Sequence, residues 1–283
     1  MFVVFRKLQV SIISDVHLGT YGCHASELIQ YLKSINPEIL VLNGDIIDGW
    51  AFSKRYFPAV HMQVIKEITS LISKGTKVYY ITGNHDEMLR RYSGFELGNF
   101  HLDDKLVLDI DGKKAWIFHG DVFDASTKGA AKWLAKLGGK GYDILILLNS
   151  FINFILKVLG KEKMSFSKKV KSSVKKAVAW IGDFELCAAE LGAEKGYDFV
   201  ICGHIHQPQD RVIETKFGKI RYLNSGDWIE NLTALEYNDG VWNIHQYAEA
   251  KVAHHAVYSL TKKHPQPDVI NNPVEHIVQS LIK

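Results

Sequence analysis

Five times along this 283-residue chain an apolar, β-branched run ends directly in a polar motif. Residues 10–14 lead into Asp15-x-His17, 38–43 into Gly44-Asp45, 77–82 into Gly83-Asn84-His85-Asp86, 114–118 into His119-Gly120-Asp121, and 198–203 into Gly203-His204-x-His206. Apolar strands that do not alternate belong to sheets covered on both faces. Helical patterns near 24–35 and 60–74 supply cover, so the chain reads as an α/β fold. Each motif falls just beyond the carboxyl end of a strand, where open α/β sheets place their sites.

From 123 to 196 no strand-like run occurs and helix formers dominate. Strands resume at 198–203 and 219–224, and 232–247 reads as a hairpin turning at Asn238-Asp239-Gly240. The expected organisation is a core of 1–122 and 197–247, a helical lid inserted at 123–196, and an extension at 248–283. The apolar N-terminus runs straight into a motif strand without a basic region or cleavage site, so it reads as the first strand and not a signal peptide. Cys23, Cys187 and Cys202 lie far apart in sequence and are odd in number, which suits a reducing, cytoplasmic setting. A net charge of +3 points to no particular partner.

A single Asp or His at a strand end is usually a helix cap or a solvated group. Five in succession, each offering carboxylate, imidazole or amide, point to metal ligation. In extended chain, residues i and i+2 project the same way, so Asp15 with His17 and His204 with His206 are expected to reach common sites. Mixed oxygen and nitrogen donors suit Mn²⁺, Fe²⁺, Zn²⁺ or Co²⁺ better than Ca²⁺, with Mn²⁺ foremost.

In their order and spacing these motifs resemble the calcineurin-like metallophosphoesterases. The resemblance implies a four-layer β-sandwich flanked by helices, and two divalent ions that activate a hydroxide to attack phosphorus. It assigns Asp15, His17 and His206 to one ion, Asn84, His119 and His204 to the other, and Asp45 to both. It also makes His85 the catalytic group over the phosphate, protonating the leaving oxygen, with Asp86 expected to fix its tautomer. Asn224 to Asp227 resembles a late loop flanking the site. Asp48 and Asp121 are candidates for supporting partners or turn formers.

Within the expected lid, residues 142–160 are almost continuously apolar, with a narrow polar face that includes Asp143, Ser150 and Lys157. Eight lysines against one acid follow across 157–176, Lys168, Lys171 and Lys175 among them as candidate substrate contacts. An apolar helix beside lysines suits an anionic membrane surface or an acyl-chain pocket. Nucleic acid is not expected, since Arg interleaved with aromatics is missing from this stretch. The insertion and motif order resemble the UDP-2,3-diacylglucosamine pyrophosphatase group of lipid A synthesis. That resemblance implies a lipid-linked nucleotide substrate and a peripheral place on the inner face of the cytoplasmic membrane. The best-known members of that group carry Arg where this chain has His85, which keeps a phosphomonoesterase or phosphodiesterase in view. The rival of another class is a non-catalytic metal-binding scaffold. Sequence gives no oligomeric state.

Overall fold

The computed structural model describes residues 5–50, 56–126 and 169–247, with side chains left undescribed at 124–126 and 169–180. Among the described residues, twelve strands form two mixed sheets. The first sheet contains β1 (Arg6–Ile13), β2 (Ile35–Asn43), β3 (Lys77–Ile81), β4 (Phe95–Leu97), β5 (Phe100–Asp103), β11 (Thr233–Asn238) and β12 (Val241–Gln246), in the order β12-β11-β1-β2-β3-β5-β4. The second contains β6 (Lys105–Ile110), β7 (Lys113–Phe118), β8 (Phe199–Cys202), β9 (Gln209–Thr215) and β10 (Gly218–Asn224), in the order β6-β7-β8-β10-β9.

Alternate side chains build three successive apolar layers. Val10, Ile12, Val41, Ile117, Ile201 and Leu223 fill the space between the sheets. On the outer face of the first sheet, Leu40, Leu42 and Val78 pack under helices α1 (Ala25–Ser34) and α2 (Ala59–Ser73). On the outer face of the second, Val200, Cys202, Ile220 and Tyr222 meet Phe184, Ala188 and Ala189 of helix α3 (Lys169–Glu194). The four expected layers are therefore present: helices, sheet, sheet, helix.

The strands expected from the apolar runs all form. The strands β4, β5, β6 and β9 went unforeseen. In β4 all three residues are exposed, and β9 reads Gln-Asp-Arg-Val-Ile-Glu-Thr, so neither has a buried face to leave a pattern. The central strands β1, β2, β3 and β5 run parallel, as do β7, β8 and β10. The carboxyl ends within each set therefore share one edge, and with them the motifs.

Of the expected lid, 127–168 lies outside the described residues, Lys168 included. Lys171 and Lys175 fall in the part of α3 where the backbone alone is described. The extension at 248–283 also lies outside. Among the described residues no helix is long and apolar enough to cross a membrane.

Candidate metal centre

Hydrogen bonds between side chains of the first sheet and its loops and backbone of the second stitch the two sheets together at the site. Asn43, the last residue of β2, donates from Nδ2 to the Phe118 carbonyl at 3.2 Å. Gly203 N–H donates to the His119 carbonyl at 2.9 Å, and His204 N–H to Asp15 Oδ2 at 3.0 Å. The loops after β1 and β2 run side by side, with Val16 and His17 N–H both donating to the Asp45 carbonyl.

The ligands do not sit on extended chain as the i, i+2 spacing suggested. Asp15, His17, Asp45, His204 and His206 have φ of 52°, 52°, 54°, 67° and 52°, and among the described non-glycine residues only Asp111, Leu232 and Asp239 share that left-handed region. Each such residue costs about 1–3 kcal/mol, which surrounding contacts must offset. The spacing paired Asp15 with His17 in one donor group, but His204 and His206 fall in different groups; left-handed kinks turn these residues into the site after their strands have ended.

Glycine is needed where these loops touch. A Cβ on Gly44 would collide with the His119 ring, and one on Gly83 would collide with the Asp45 carboxylate. Gly44 also has φ of +83°, a conformation glycine adopts without strain.

The expected ligands converge in two groups, Asp15 with His17 and His206, and Asp45 with His119 and His204, and a further set joins His17 to Asp48 and His85. Within each group the donor atoms lie within 4.8 Å of one another. Asp45 Oδ2 is 3.2 Å from His119 Nε2 and 4.0 Å from His17 Nε2, so it faces both groups. Asp15 Oδ1 is 3.2 Å from His206 Nε2.

These approaches are close but not in line as hydrogen bonds. Asp15 Oδ1, His17 Nε2, His119 Nε2 and Asn84 Oδ1 are buried polar atoms with no hydrogen-bond partner. Such groups are costly unless something satisfies them. The imidazoles are oriented from behind: His119 Nδ1 is 2.9 Å from the Asn43 carbonyl, and His17 Nδ1 is 3.1 Å from Asp48 Oδ2. A neutral ring held this way carries its proton on Nδ1 and turns the Nε2 lone pair inward. Inward-facing imidazole nitrogens, carboxylate oxygens and an amide oxygen fit a divalent metal centre, and no described thiol is among them.

Burial opposes charge throughout the cluster, and the opposite charges outweigh it. Asp15 is held at about 2 by His206 and His119 despite complete burial. His206 is desolvated too, yet Asp15 raises it to about 9. His119 is likewise pushed up by Asp45 and Asp15 against the effect of burial.

Metal ligands must shed such protons, so binding releases protons and strengthens with pH. Titrating Mn²⁺ at pH 7.5 in buffers of different ionisation enthalpy should show release of about one proton or more per protein. Metal-free stability has the opposite sign. The His206 contribution is complete below pH 6.5 and lost as pH rises through about 9. Melting temperatures should therefore fall over that range without metal and hold with it; absence of proton release would contradict the ligand set.

His85 lies beside the cluster, its ring 4.6 Å from that of His17. Its Nδ1 is 2.8 Å from Asp48 Oδ2, as an ion pair and not an in-line hydrogen bond, and its Nε2 is 4.0 Å from Asp45 Oδ2. Burial lowers its pKa, but Asp48 and Asp45 more than compensate and raise it above the ordinary value.

The expectation that Asp86 fixes this ring is corrected. Asp86 is fully buried and accepts from Ile46 N–H, Tyr80 Oη–H and Gly83 N–H, which makes it the clasp of the loop after β3. Asp48 is the carboxylate that faces His85. Asp121 pairs with Arg90, a residue that the sequence did not single out. In the late loop, Asn224 Nδ2 holds the Gly203 carbonyl, and Asp227 accepts from the N–H groups of Ile229 and Glu230. Asn231, held by Asp227, donates to the His206 carbonyl at 2.9 Å. The loop thus braces the Gly203-His204-x-His206 turn.

A two-sheet α/β sandwich with mixed-donor clusters beyond its parallel strand ends defines a metal-dependent hydrolase. The profile of the Calcineurin-like phosphoesterase family matches residues 8–208, and the chain belongs to that family, whose members use divalent metals. It is a metal-dependent phosphoesterase. Similar chains include the UDP-2,3-diacylglucosamine hydrolase of Aliivibrio fischeri (strain MJ11), 26% identical over 84% of this chain and 98% of the relative. The protein of the same name from Blochmanniella pennsylvanica (strain BPEN) is 23% identical over 82% and 93%. Among solved structures, the E. coli phosphoesterase Yfce aligns over 84% of this chain and 92% of its own, at 13% identity and a TM-score of 0.42.

Proposed function

We propose that the chain hydrolyses a lipid-linked nucleoside diphosphate of the UDP-2,3-diacylglucosamine type, releasing UMP and the acylated sugar 1-phosphate. The observation carrying the phosphorus chemistry is the set of buried, partnerless donor atoms turned toward one another around Asp45. The substrate class is supported by relatives of that name matched over nearly their whole length.

Asp15, His17 and His206 would hold one divalent ion and Asn84, His119 and His204 a second, with Asp45 shared and Mn²⁺ the expected metal. Bound there, such ions supply Lewis-acid charge to phosphoryl oxygens and lower the pKa of water. Asp48 and the Asn43 carbonyl keep two imidazoles in the ligating tautomer. His85, whose pKa Asp48 and Asp45 raise, would deliver a proton from Nε2 to the departing oxygen.

A histidine with a raised pKa at this place favours a second reading, hydrolysis of an amphiphilic monoester or diester whose alkoxide needs an acid. The apolar run 142–160 and the lysines that follow support attachment to an anionic inner-membrane surface; each lysine near such a surface adds about 1 kcal/mol.

Purified full-length protein with Mn²⁺ should cleave UDP-2,3-diacylglucosamine in preference to UDP-sugars without acyl chains and to simple phosphate esters. Equal rates on acylated and unacylated substrates would remove the lipid assignment and leave the phosphoesterase.

A further inference from the structure

Against His85 stands Trp50. Its indole centroid is 4.1 Å from that of His85, with the rings tilted by 35°. One face is thus taken by the imidazole, yet the residue remains 42% exposed. A large aromatic left this open forgoes part of the burial that usually places tryptophan inside.

The turn carrying Trp50 is fixed. Its N–H donates to Asp48 Oδ1 at 3.0 Å, and Gly49 N–H donates to the His85 carbonyl at 2.8 Å. Gly49 has no room for a side chain: a Cβ would stand 2.7 Å from the His85 carbonyl oxygen and 2.9 Å from the Met88 methyl. Met88, 52% exposed, therefore borders the same turn. The sequence places Trp50 on the Asp45-to-Asp48 loop, so the segment that supplies a shared ligand and the carboxylate facing His85 also presents this ring.

The His85 ring thus touches both the ligand cluster, through His17 at 4.6 Å, and the Trp50 indole at 4.1 Å. A phosphoryl group over the cluster with its leaving oxygen at His85 sends the next group of the substrate across the indole. An indole face takes flat or ring-shaped partners, the bases of nucleotides by stacking and other rings by apolar contact.

We propose that Trp50 is a substrate platform: its exposed face holds the ring borne by the phosphate ester, a nucleobase or a hexose, and selects ring-bearing phosphates over small ones. This rests on the phosphoesterase reading of the site and not on the acylated substrate, so failure to cleave UDP-2,3-diacylglucosamine would leave it standing.

The test is inhibition of the Mn²⁺-loaded full-length enzyme by UMP, glucose 1-phosphate and inorganic phosphate, compared across wild type, Trp50→Ala and Trp50→Phe. Loss of the indole should raise the inhibition constant of a ring-bearing phosphate by roughly 5- to 150-fold, the span that base–aromatic stacking gives. That of inorganic phosphate should stay unchanged, and phenylalanine should restore most of the loss. A rise for UMP alone identifies a nucleobase, for glucose 1-phosphate alone a hexose, and for both a platform that accepts either. Equal loss on all three probes would make Trp50 a shield that acts through His85, and no change on any would remove it from the site; either result overturns the proposal.

Discussion

Replacing Asp45 with alanine is expected to abolish turnover and to lower tightly bound metal from two ions per chain to one or none. Asp45 Oδ2 lies 3.2 Å from His119 Nε2 and 4.0 Å from His17 Nε2, so both donor groups lose the same oxygen. Mutating residues that merely support a ligand costs roughly 10–100-fold in metal affinity. Removing a shared ligand should exceed that. Asp45 Oδ1 also accepts the His85 N–H at 2.8 Å, so the loop bearing Asn84 and His85 loses an anchor at the same time. Metal analysis after gel filtration, with a folding control by circular dichroism, gives the result. Two retained ions with normal turnover would show that Asp45 is no ligand.

The second large effect is at His85. General acids contribute about 10²–10⁴-fold. His85→Ala should slow esters with alkoxide leaving groups by that order and esters with acidic leaving groups by much less, since the latter depart without a proton. Asp48 and Asp45 raise the pKa of the ring, so the activity ascribed to its proton should fade as pH rises past that raised value. A leaving-group series measured across pH tests both. Equal loss on every substrate would show that the ring positions phosphate and does not donate a proton.

How legible this was in sequence depended on burial. Strands such as Leu40–Leu42 in β2 and Val200–Cys202 in β8 are apolar without interruption because each face meets a different packed layer, and that compositional signature survives in the chain. The edge strands β4 and β9 have no such constraint, and their polar sequences carry no periodic signal. The candidate ligand residues stood out because few other arrangements place imidazole, carboxylate and amide after successive strands. Their backbone was not. Nothing in the letters Asp15 or His17 announces φ near +52°, which follows from the clasp between the loops after β1 and β2.

Supporting roles were the least visible, since they depend on which side chain reaches where. Asp86 is adjacent to His85 in sequence, but its oxygens are taken by Ile46, Tyr80 and Gly83. Asp48, distant in sequence, stands against the imidazoles of both His17 and His85. Trp50 passed unnoticed because a lone tryptophan in a loop has no pattern. Its position two residues after Asp48 is the one cue that the chain offered.

The central claim is a pair of metal ions held by these residues, and anomalous scattering from crystals of the Mn²⁺-loaded protein tests it most directly. Two peaks are expected in each molecule, one among Asp15, His17 and His206 and one among Asn84, His119 and His204, each in contact with Asp45. A single peak, or peaks away from Asp45, would contradict the two-metal account.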